Sequence, residues 1–158
     1  MNKIFSKLIT IALIFATFSC SYKPIFSEIN YNFQIEEIIL SGDKGINRII
    51  EKKFSMIMKN QNSEKKNFSV IINSIKNKEI ISNDSKGDPL KFEINIAVAY
   101  KILENGKIIL ERKIEKSNIY NNKSDKFELD QNEKNITNIL SEIISDNIIS
   151  SIINLNDN

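Results

Sequence analysis

The stretch "PLKFEINIAVAYKILENGKIILERKIEKSNIY", residues 89–120, decides the fold. Leu90, Phe92, Ile94, Ile96, Val98, Tyr100 and Ile102 occupy every second position, while Lys91, Glu93, Asn95, Lys101 and two alanines fall between them. A period of two is the mark of a strand with one buried face. Asn105-Gly106 follows, and Asn-Gly is the preferred two-residue hairpin turn because both central positions need positive φ. Residues 107–120 then pair back as a second strand. The centre of the chain is a long antiparallel hairpin.

Working outward, "YNFQIEEIIL" at 31–40 alternates Phe33, Ile35 and Ile39 with polar residues and predicts an earlier strand. A glycine-rich turn at 41–45 leads into "INRIIEKKFSMIMK", where Ile46, Ile49, Ile50, Phe54, Ile57 and Met58 recur at helical spacing. After a polar stretch, Phe68, Val70 and Ile72 mark a further strand running towards Ile81. From about Leu129 to Leu155, Ile136, Ile139, Leu140, Ile143, Ile144 and Ile148 predict a second helix with these residues on its buried stripe. Asp125 and Asp130 stand near its start as candidate capping or dipole-favoured acids. The order is β-α-β-β-β-α: an α/β (α+β) two-layer sandwich, a four-stranded mixed sheet with both helices on one face. The opposite sheet face carries charged, amide and small residues, and is either solvated or laid against a partner.

Ahead of this domain, Lys3 and Lys7 precede an apolar run from Leu8 to Phe18. That run is too short for a spanning helix, which needs about 20 apolar residues. It has the build of a secretory signal peptide over residues 1–19. Ser19 then precedes Cys20, the one cysteine of the chain. Such a cysteine can become a lipidated N-terminus and anchor the chain, although Thr17 stands where a bacterial lipobox usually has leucine. An ordinary signal peptide with an incidental cysteine, or an uncleaved anchor, reads the same way. A lipid anchor also accounts for one cysteine in a secreted chain, since no disulfide is possible. Residues 20–29 form the lipidated N-terminus and a linker with Pro24. Residues 30–158 form a single domain. The nine residues 21–29 span about 30 Å when extended, at roughly 3.3–3.6 Å each.

Composition removes several functions. With no histidine, and with Cys20 outside any fold, the chain lacks the residues for His/Cys zinc sites and for Ser-His-Asp or Cys-His catalysis. No cofactor or metal is expected. Removing Lys3 and Lys7 leaves 20 basic against 20 acidic residues, with only two arginines, Arg48 and Arg112, and no dense basic run. A nucleic-acid partner is not expected. Ile, Asn and Lys number 33, 22 and 20 of the 158 residues, a bias that lowers the information in any single Asn or Lys.

"CSYKPIF" from Cys20 resembles the Cys-Gly-Tyr/Phe-Lys/Arg-Pro-Leu-Tyr opening of alphaproteobacterial LPS-assembly lipoproteins of the LptE family, with Ser21 in place of the glycine. Tyr120-Asn121, Phe127 and Glu133 resemble that family's Tyr-Asn…Phe-Ala…Glu-Arg-Asp stretch. The element order is similar across the mature chain. The resemblance implies an outer-membrane lipoprotein on the periplasmic side, plugging and assisting assembly of the LptD β-barrel and contacting lipopolysaccharide during its export. It implies no enzyme activity.

If the first two strands run parallel through a right-handed crossover, the loops 41–45, 82–89 and 121–128 are expected at one end of the sheet. Lys44, Lys86, Lys123 and Lys126 would then face an anionic ligand together, and in the family basic residues of the second and third of these loops are implicated in lipopolysaccharide contact. Loop lysines are also ordinary solvated residues. Two other readings stay open. One is an auxiliary lipoprotein of an ABC-type lipid transport system. The other is an enzyme using Asp43, Asp84, Asp88 or Asp125, although no nucleophile, metal set or glycine-rich phosphate loop accompanies these aspartates.

Overall fold

In the computed structural model, residues 33–58 and 66–156 are described. The signal-like segment, Cys20 and the linker lie outside the described residues. The elements run β1 (Phe33–Gly42), α1 (Lys44–Met58), β2 (Lys66–Asn83), β3 (Pro89–Glu104), β4 (Lys107–Asn121) and α2 (Lys126–Asn156). The four-stranded sheet has the order β1-β2-β3-β4, with β1 and β2 parallel and the other neighbours antiparallel. This is the expected β-α-β-β-β-α arrangement with a mixed sheet. The turn behaves as its residues predict: Asn105 has φ 50° and Gly106 φ 76°.

Alternation places the core. Phe92, Ile94, Ile96, Val98, Tyr100 and Ile102 of β3 are buried, as are Phe68, Val70 and Ile72 of β2 and Phe33 and Ile35 of β1. Phe33 meets Phe68 edge to face at 6.0 Å, joining the two parallel strands. From α1 the same core takes Ile46, Ile50, Phe54 and Ile57. Leu90, read with the inward set, is instead 49% exposed. Register shifts after Ile80 and Ser82 interrupt the ladder there, at the far end of the sheet.

Helix α2 is rotated from its expected orientation. Leu140, Ile144 and Ile148 are buried as predicted, but Ile139 is 57% and Ile143 42% exposed. Thr137, Ser141 and Ser145 take the inward positions instead. Their hydroxyls donate to the carbonyls one turn back, Glu133, Thr137 and Ser141, at 2.7–2.8 Å. A hydroxyl satisfied by its own helix can be buried without a lost hydrogen bond.

The junction of β1 and α1 is tightly specified. Gly42 has φ +93°, and a Cβ there would stand 1.9 Å from the Ser74 carbonyl oxygen. Only glycine lets the chain turn this close to β2. Asp43 then caps α1, its Oδ1 accepting from the N–H groups of Gly45 and Ile46 at 2.8 and 3.0 Å.

Candidate functional site

Gly42 is level with Ser74, whereas β2 continues nine residues further to Asn83. At the rise of a strand that is about 30 Å. The upper halves of β2 and β3 therefore extend beyond β1 as a narrow sheet, on which β4 still pairs up to Asn121.

The loops at the far end are held by their polar residues. Asp84 organises the β2–β3 turn, its Oδ1 accepting from the N–H groups of Lys86 and Asp88 at 2.8 and 2.9 Å. Asn122 ties the β4–α2 loop to β3: its amide N–H donates to the Leu90 carbonyl at 2.7 Å and its side chain to the Pro89 carbonyl at 2.8 Å. Asp125 caps α2 through the Phe127 and Glu128 N–H groups. These bonds bring the two loops together, with Lys86 and Lys123 exposed in them and Lys126 exposed at the first residue of α2. Lys123 Nζ lies 3.1 Å from Glu128. A shallow pocket of about 470 Å³ separates the loops, and Lys123 and Lys126 line it. Ile80, Ile81, Leu90, Ile119 and Phe127 leave apolar surface exposed around the same end.

Lys44 does not join them. It opens α1 beside Gly42, about 30 Å down the sheet. The expectation put the 41–45 and 82–89 loops at one level, whereas β1 stops opposite Ser74 and β2 runs on to Asn83.

A second cluster lies between the helices and the sheet. Glu133 of α2 accepts a 2.7 Å hydrogen bond from the Tyr120 hydroxyl and forms an ion pair with Lys78 of β2. The Lys78 ammonium also sits 4.4 Å from the centre of the Phe92 ring, which stacks on Tyr120 at 5.6 Å. Tyr120 and Glu133, two of the residues that carry the family resemblance, are thus in direct contact. Burial pushes the Tyr120 phenol well above its ordinary range, and the hydrogen bond and charge of Glu133 push it further. Burial also raises the Glu133 carboxyl, but bonds from Lys78 and Tyr120 and the charges of Lys78 and Lys76 outweigh it. The carboxyl sits below its ordinary value.

Beside this network is a pocket of about 370 Å³ whose lining includes Arg48, Lys76, Lys78, Asp130, Glu133 and Lys134. The four cations come from α1, β2 and α2. Sequence reasoning passed over them, although the pattern of β2 carries a signal. Its inward positions change from Phe68, Val70 and Ile72 to Ser74, Lys76 and Lys78, opposite the buried Val98, Ile96 and Ile94.

The loop aspartates have local partners. Asp43, Asp84 and Asp125 each accept backbone N–H groups. Among the described residues no group of three or more His, Cys, Asp or Glu is placed to hold a metal ion.

About three quarters of the chain matches solved structures. The rare lipoprotein B of Shewanella oneidensis superposes with a TM-score of 0.53 at 16% identity, over 75% of this chain and 98% of that one. A minor lipoprotein of Acinetobacter baumannii gives 0.55 at 11% identity, over 77% and 92%. A lipoprotein of Caulobacter crescentus, described as putative in its own structure, gives 0.53 at 9% identity, over 75% and 88%. This chain has the fold of those bacterial lipoproteins. No protein-family model and no curated protein matches the sequence.

Proposed function

We propose that this chain is a lipid-anchored envelope protein of the outer membrane, held on the periplasmic side through Cys20. In this reading it works as LptE does: it plugs and helps assemble an LptD-type β-barrel, and contacts lipopolysaccharide on its way to the cell surface. It binds and scaffolds rather than catalyses. The supporting observation is the likeness of the domain to solved bacterial lipoproteins, reaching 98% of the length of one of them. In this chain such a domain follows a signal-like segment that ends at a lone cysteine.

The far end of the sheet suits the task. An amphiphile such as lipopolysaccharide presents anionic groups beside acyl chains. Lys86, Lys123 and Lys126 stand beside exposed Leu90, Ile119 and Phe127. Exposed lysines on mobile stems hold an anion as point charges without a fixed geometry, which fits a ligand in transit.

The test is a pull-down of the native protein in mild detergent, with mass spectrometry of the co-purifying chain and of Cys20. A one-to-one complex with a large β-barrel, and a diacyl or triacyl group on Cys20, are expected. Recovery of an inner-membrane transporter instead, or unmodified Cys20 in protein from native membranes, would overturn the proposal.

A further inference from the structure

The inner-face pocket has a composition that the fold does not require. Lys76 and Lys78 occupy the sheet face that carries the buried Phe68, Val70 and Ile72 lower on β2, where apolar side chains would continue the core. Lys78 is committed to Glu133 and Phe92. Among the described residues Arg48, Lys76 and Lys134 have no ion-pair partner, and all three are exposed. They converge on the pocket from α1, β2 and α2.

The charges can be counted. Lys78 and Glu133 cancel, leaving Arg48, Lys76 and Lys134 against Asp130, a surplus of two positive charges. Helix α1 also begins at the pocket, where Gly45 is part of the lining. Its first N–H groups, however, are already taken by Asp43. Side-chain cations, not the helix end, would therefore hold a ligand.

We infer that this pocket binds a phosphomonoester group. Such a group carries about −1.5 to −2 charges at neutral pH, matching the surplus. The planar guanidinium of Arg48 suits two phosphate oxygens at once. Ammonium groups from the sheet and from the second helix supply point charges on the other sides. A carboxylate or a phosphodiester, with one charge, leaves a cation uncompensated. The cations of the site stand apart from the loop lysines: Lys76 lies seven residues before the end of β2, about 23 Å along the strand, and Lys134 two turns, about 12 Å, along α2 from Lys126. The site does not rest on the proposed barrel partnership. The phosphomonoester could belong to a soluble phosphosugar or to a lipid headgroup.

The test uses the full chain in neutral-detergent micelles, followed by calorimetry and by NMR of backbone amides. One arm adds glucose 1-phosphate. The other adds phosphatidic acid to the micelles, with phosphatidylglycerol as the singly charged comparison. Saturable binding is expected, with shifts at Gly45, Arg48, Lys76 and Lys134. Lys134→Gln lies on an exposed helix face, so it should leave the fold intact and weaken binding at least about threefold. Combined Arg48→Gln, Lys76→Gln and Lys134→Gln should abolish binding, whereas Lys76→Arg should retain it. Response to glucose 1-phosphate assigns a soluble source; response to phosphatidic acid alone assigns a lipid one. No saturable response in either arm would overturn the inference. So would equal binding of phosphatidylglycerol, or equal loss on exchanging Lys86, Lys123 and Lys126 for Ser.

Discussion

Gly42 and Glu133 show how much can rest on one side chain, or on its absence. Adding a methyl group at Gly42 meets the Ser74 carbonyl at 1.9 Å with φ at +93°. Both backbones belong to the sheet, so neither gives way easily. Gly42→Ala should cost at least about 3 kcal/mol, since strain at such φ/ψ and overpacking each contribute about 1–3 kcal/mol. Gly106→Ala also has positive φ, but its Cβ meets nothing within 4 Å. It should cost only about 1 kcal/mol. Urea midpoints of the two variants test the contrast, and equal losses would mean that Ser74 shifts aside.

At Glu133 the prediction concerns pH. The folded carboxyl lies below its ordinary value because Lys78 and Tyr120 outweigh burial. Its stabilisation is therefore present above the unfolded pKa, about 4.3, and is lost as pH falls through the folded value. Glu133→Gln should destabilise the chain by about 1 kcal/mol at pH 7, a figure kept small because Lys78 is partly exposed. The gap should close as the medium becomes strongly acid. A gap unchanged at pH 3 would place the effect in packing rather than charge.

At the scale of the element, α2 shows why a stripe drawn from hydrophobicity alone turned out rotated. Isoleucine supplies 33 of 158 residues, so more than one face of this helix can be traced through isoleucines. The face that packs includes Ile144, Ile148 and Ile152 with Thr137, Ser141 and Ser145, whose hydroxyls close on their own helix. Ile144→Ala should cost about 2–5 kcal/mol, the range for truncating a fully buried aliphatic side chain. Ile143→Ser, one position away, should stay within about 0.5 kcal/mol. Thermal melts of both decide it, and comparable losses would refute the orientation.

At the scale of the whole molecule, the unequal strand lengths matter most. Because β2 outruns β1, the domain has one end carrying Lys86, Lys123 and Lys126 and, about 30 Å lower, the α1 start with Lys44. Exchanging the first three for Ser should leave stability nearly unchanged, since exposed substitutions usually stay within about 0.5 kcal/mol. If the chain binds lipopolysaccharide as proposed, that binding should weaken and lose much of its salt sensitivity, because exposed charges are screened over roughly 8–10 Å. Changing Lys101 and Lys107, near the opposite hairpin end, is the control. Equal losses from both sets would mean unlocalised charge attraction.

Local periodicity carried the strands, the hairpin turn and the helix at 44–58, because a period of two or of 3.6 is written in neighbouring residues and needs no distant partner. Asp125 was legible as a cap for the same reason. The level of Lys44, the inward serines of α2 and the contact of Lys78 with Glu133 were not. Each depends on which residues distant in sequence come to lie opposite one another. The pairing of Gly42 with Ser74 sets where β1 stops, and with it where the helix layer leaves Lys76 and Lys78 uncovered. Parity with Phe68, Val70 and Ile72 puts both lysines on the inner face, but only the folded register decides that the helix layer leaves them exposed.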